Sequence, residues 1–132
     1  MENTVVVIIA LEQQAKAKEF ETYFRESVQK LREEDRIPDV TLSLYRSVEV
    51  EQEFVWMTRY PEEELNRVTR ADWPFVVLAM LDMLREIRRR FAANVSVVAS
   101  SSVLTADGLV EQWNQRHGGF TKMSLEAQGT GH

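Results

Sequence analysis

Eight consecutive residues near the start, Thr4 to Leu11 (TVVVIIAL), carry no charge and are dominated by β-branched side chains. Such residues are stiff at χ1 and fit a pleated surface, and a run this short cannot span a bilayer. A strand that is apolar on both sides has to be covered on both sides. The segment therefore predicts a central strand.

After Leu11 the period changes. From Glu12 to Glu34, Ala17, Phe20, Phe24, Val28 and Leu31 fall on one helical face, and charged or amide side chains fill the other. Ile37-Pro38-Asp39 ends this helix, because proline disfavours helix at the residue before it and offers no amide donor. Val40 to Ser47 and Glu53 to Tyr60 read as two strands joined by the polar stretch Val48 to Gln52. That link contains no glycine, so it predicts a hairpin loop of about four to six residues rather than a tight two-residue turn. The alternating Glu49, Glu51 and Glu53 read as a soluble, edge-protecting loop.

Pro61 followed by three glutamates marks a short helix over Glu62 to Val68, since proline fits a first turn and carboxylates complement the helix dipole there. Asp72 and Pro74 open a longer one, Trp73 to Phe91, with Val76, Val77, Met80, Leu84, Ile87 and Phe91 inward and arginines at its negative pole. Val95 to Val103 is the last strand of the series, after a turn at Ala93-Asn94. The order is βαββαβ. Beyond Leu104 the composition shifts: Asp107 to Gln115 suits a short helix, Gly118-Gly119 a break, Phe120 to Leu125 a short extended piece, and Glu126 to His132 a disordered end. The expected organisation is a domain over residues 1–104 and an extension over residues 105–132.

Composition removes several chemistries. The chain has 132 residues, 44% hydrophobic and 28% charged, with no cysteine, which fits one globular domain without disulfides, thiolate nucleophile or iron–sulfur cluster. A net charge of −5 argues against nucleic acid or an anionic membrane as partner. All five glycines lie at position 108 or later, so no glycine-rich phosphate cradle follows the first strand. His117 and His132 are the only histidines, which leaves no helical pair for a metal. Ser100, Ser101 and Ser102 lack a nucleophile elbow, and Arg85, Arg88, Arg89 and Arg90 read as a solvated helix end. No cofactor, metal or membrane span is expected, and a cytoplasmic location is the default.

The middle strands are more informative. With period two, Phe54, Trp56, Thr58 and Tyr60 share one face while Val55, Met57 and Arg59 share the other; Thr41, Ser43 and Tyr45 likewise oppose Leu42, Leu44 and Arg46. Large residues on both faces call for two coverings. Helices supply one, and a second sheet, from another copy of the chain, is expected to supply the other. Tyr45, Trp56, Tyr60 and Trp73 are candidate walls of a pocket for a hydrophobic or aromatic ligand, with packing in the core or dimer as the competing reading.

The hairpin LSLYRSVEVEQEFVWMTRY followed by PEEELNRVTRADWPF and a long helix, over Val40 to Phe91, resembles the antibiotic biosynthesis monooxygenase-like group of dimeric α+β barrels. The resemblance implies a ferredoxin-like βαββαβ fold with an antiparallel sheet, and a homodimer closing two sheets into a barrel. It also implies a ligand pocket between the sheet and helices of each subunit. Cofactor-independent oxygenases of aromatic compounds and haem-degrading enzymes both belong to this superfamily. Haem-degrading members carry a ligating histidine on the second long helix, where an ungapped comparison sets Ala79; they also carry an asparagine on the first strand, where this chain has VVVIIAL. Histidine-ligated haem is therefore not expected, and no residue is carried over as catalytic. The expectation is a homodimer binding a small hydrophobic or aromatic metabolite through Tyr45, Arg46, Trp56, Arg59, Tyr60 and Trp73. The arginines would stabilise an enolate or phenolate oxygen if a monooxygenase reaction occurs. The alternative is a non-catalytic structural or protein-interaction dimer. Whether the protein is an enzyme is left open by its sequence.

Overall fold

The computed structural model describes residues 2–101 and 119–125. The Thr4 to Leu11 run forms the core of β1, Glu2–Ala10, which sits between β3, Glu53–Pro61, and β4, Asn94–Ser101. β2, Thr41–Ser47, pairs with the other edge of β3, and a short β5, Phe120–Lys122, pairs with β2. The spatial order β4-β1-β3-β2-β5 is antiparallel throughout. Its first four members with two intervening helices make the ferredoxin-like α+β arrangement. β5 falls in the short extended piece expected over Phe120 to Leu125, and it joins the same sheet beside β2.

α1, Ala17–Glu34, buries Ala17, Phe20, Phe24 and Val28, as the helical spacing dictates. A single 3-10 turn, Gln14–Lys16, precedes it, so regular helix starts later than Glu12. α2, Phe75–Phe91, buries Val76, Met83, Ile87 and Phe91. It begins two residues after Trp73 because Pro74 is held extended in a bridge to Val68, while the Phe75 N–H donates to the Arg67 carbonyl at 2.9 Å. For the same reason the Glu62 to Val68 segment is not an α-helix: a 3-10 turn over Glu62–Asn66 gives way to the bridge. The helix expected over Asp107 to Gln115 and the disorder expected over Glu126 to His132 lie outside the described residues.

Both helices lie on the face bearing Val5, Val7 and Ile9 of β1, Leu42 and Leu44 of β2, and Phe54 and Trp56 of β3. The core is aromatic at its centre. Phe20 packs tilted against Phe54, ring centroids 4.6 Å apart, and meets Phe91 edge-on at 5.5 Å, joining sheet, α1 and α2 in one contact chain. On the opposite face Val6, Tyr45, Val55 and Met57 form a second cluster with Ile8 and Phe120 packed against it. Val6, Val55 and Met57 are 0, 2 and 1% exposed within a single chain, so the need for a second copy to cover this face falls away as an argument for dimerisation.

Candidate functional site

The hairpin decides which candidate residues meet. Its loop puts Arg46 opposite Phe54, Tyr45 opposite Val55 and Leu44 opposite Trp56. Residues facing each other across an antiparallel pair point to the same side. Tyr45 is thereby separated from Trp56 and Tyr60 by the thickness of the sheet, and the aromatic residues proposed from sequence do not form one wall. Tyr45 is buried in the far-face cluster. Trp56 lies in the helix-side core at 0% exposure, edge-on to Phe24 at 5.5 Å, with its indole N–H lacking a hydrogen-bond partner.

The two candidate arginines are also apart. Arg46 reaches Glu21 of α1 at 3.2 Å on the helix side, and Arg59 lies 3.3 Å from Glu2 on the opposite one. Each positive charge is met by a carboxylate of the chain itself. On α2, Arg88 donates to the Val95 carbonyl, Arg89 pairs with Glu86, and Arg90 pairs with Glu19 while lying over the Tyr23 and Phe91 rings. Arg88 and Arg90 thus tie α2 to β4 and α1, while Arg89 pairs within its own helix.

Tyr60 and Trp73 come to the same end of the molecule, where the structure opens. A cleft of about 170 Å³ lies between the C-terminal end of α1 and the first half of α2, with Leu31, Ile37, Phe75, Leu78 and Ala79 as its apolar lining. Glu34, Arg36, Thr69 and Asp82 complete its outline. Tyr60 forms a buried cluster with Ile37 and Val76, and Leu31, Phe75 and Ala79 pack directly on that cluster. The cleft wall is therefore continuous with core around Tyr60. Burial raises the Tyr60 phenol above its ordinary pKa. Trp73, 53% exposed, belongs to the loop forming the neighbouring wall, and its carbonyl accepts the Thr69 N–H at 2.8 Å. A second cleft of about 150 Å³ shares Leu31 and Ile37 and continues over Val28, Val40 and Leu42 toward β2.

Glu64 is a buried carboxylate that no pattern in the sequence marks. Its side chain is 1% exposed, one carboxylate oxygen lies 2.8 Å from Arg67 Nε, and the other has no hydrogen-bond partner. The Arg67 carbonyl in turn accepts the Phe75 N–H at the cleft, so the pair anchors the loop that carries Thr69 and Trp73. In sequence Glu64 is indistinguishable from Glu62 and Glu63, and only the 3-10 turn rotates it inward. Among the described residues no cluster of histidine and carboxylate side chains has the arrangement of a metal site, and no helix is long and apolar enough to cross a membrane.

No family model matches the chain, and no curated protein matches it. Among solved structures, a de novo designed protein with a ferredoxin fold, determined by solution NMR, is similar at a TM-score of 0.48 and 15% identity. That similarity covers 100% of this chain and 99% of that one. The strand order and helix placement carry the ferredoxin-like assignment.

Proposed function

We propose that this ferredoxin-like protein binds a small apolar or aromatic molecule of about single-ring size in the cleft between the end of α1 and the start of α2. The observation that carries the reading is the cleft itself: about 170 Å³, with an apolar lining continuous with the Tyr60 cluster. Apolar cavities of about 150 Å³ accommodate benzene in other proteins, so the volume suits one ring. The resemblance supports the same place, because Ala79, set by an ungapped comparison where haem-degrading members of that superfamily carry their histidine, lines the cleft. Binding is the part of the reading with residues attached. Oxygenation is implied by the resemblance alone, and no residue is assigned to it.

Benzyl alcohol titrated into isotopically labelled protein should shift the amide resonances of Leu31, Ile37, Phe75 and Ala79. Ala79→Phe, which fills the cleft from a half-buried helix position, should abolish those shifts while the protein still melts in one cooperative transition, at a cost of about 1 to 3 kcal/mol for the added bulk beside the Tyr60 cluster. Absence of shifts at millimolar ligand would remove the reading. It would favour instead an interaction protein without a small ligand, the second reading, which is supported by the complete burial of Trp56 and the ion-pairing of Arg46 and Arg59.

A further inference from the structure

We propose that the ligand of this cleft is a cation, a small aromatic or aliphatic amine protonated at neutral pH; the inference rests on the ligand-binding reading and narrows its chemistry. Glu34 and Asp82 stand on opposite sides of the opening, one from each helix. Among the described residues neither has an ion-pair partner, whereas farther along the same helix seam Glu19 is met by Lys16 and Arg90, and Glu86 by Arg89. Arg36, which lines the cleft with them, lies instead over the Phe75 ring, 5.5 Å from its centroid. This chain thus already places a positive group against the aromatic wall of the cleft, the geometry in which a ring quadrupole attracts a cation. The last carbonyls of α1, which ends at Glu34, add partial negative charge at the same point.

A ligand ammonium has a place between Glu34 and Asp82, with its apolar body against Leu31, Ile37 and Leu78. A carboxylate ligand would meet two like charges against one opposite charge, Arg36, whose guanidinium already lies over Phe75. Both carboxylates are exposed, so each contributes modestly and is screened by salt. The discrimination comes from having two of them act with the same sign on one small ligand.

The experiment compares three one-ring probes, benzylamine, benzyl alcohol and benzoate, by amide chemical shift titration of the full chain at low and high salt. Benzylamine should bind about tenfold more tightly than benzoate, with benzyl alcohol between them, and added salt should narrow the gap. In the E34Q/D82N double variant, which alters only exposed positions, benzylamine should fall to the affinity of benzyl alcohol. Equal binding of the three probes, tighter binding of benzoate, or an unchanged preference in the double variant would overturn the cationic assignment while leaving the cleft a binding site. Failure of all three probes to bind would overturn the ligand-binding reading and this inference together.

Discussion

Trp56 is fully enclosed against Phe24, and its indole N–H finds no acceptor. Deleting a large buried aromatic typically costs about 3 to 5 kcal/mol, and Trp56→Ala should lose that much in urea denaturation. Trp56→Phe should lose less, because it removes the orphaned donor along with part of the volume. Tyr60 and Tyr23 both have phenol pKa values raised chiefly by burial. A raised folded value means that their contribution is intact below the ordinary phenol range and is lost as pH climbs through the folded values. Stability should therefore decline above pH ~10, and Tyr60→Phe should flatten that decline in a pH series of denaturation curves. The split between Tyr45 and Trp56 is legible from the loop. Val48 to Gln52 is an odd number of residues, which pairs odd with odd and even with even across the hairpin and sends Tyr45 to the side of Val55. Alternation shows the two faces of each strand; only the loop length relates the phase of one strand to that of the next.

At the scale of elements, both long helices end on a residue in the left-handed region: Asp35 at φ 52° and Ala92 at φ 48°. Aspartate tolerates that conformation better than alanine, whose Cβ crowds the following carbonyl. Ala92→Gly should stabilise the protein by about 1 kcal/mol, seen as a rise of roughly 3 to 5 °C in thermal melts, whereas Asp35→Gly should gain less. Neither terminus carries the glycine that announces a helix end, yet Pro38 and the turn at Ala93-Asn94 locate both ends closely. The start of α2 is less legible. Trp73 and Pro74 have the composition of a helix entry, and what holds them extended is a bridge to Val68 formed only when the loop folds back. Met83 lies buried outside the stripe read from spacing for a related reason: period 3.6 marks a stripe, and the width of that stripe depends on what packs against it.

For the whole molecule, the βαββαβ order is readable from periodicity because each of those elements is long enough to show its own period. The cleft is not, since it lies where the ends of three segments converge and its lining residues are spread from Leu31 to Asp82. Self-association rests on the resemblance, now that the far face is largely buried within one chain. Light scattering at micromolar concentration should give about twice the 15.3 kDa chain mass if the barrel dimer forms, and a stable monomer would end that expectation. β5 is visible in sequence only as a short extended piece, because three residues carry too little pattern to show which strand they will pair with.

That short strand joins the sheet through Tyr45 to Ser47, and the neighbouring Val48 N–H donates to the Gly119 carbonyl at 3.0 Å. Gly119 has φ 114°, a conformation other residues adopt only under strain. Docking it brings together segments about seventy positions apart for only a few hydrogen bonds. The sheet should consequently open in stages. Under native-state hydrogen exchange the Val48 amide should exchange much sooner than those of Val7 and Trp56, which the central β1–β3 pairing protects, and Gly119→Ala should quicken Val48 without touching the centre.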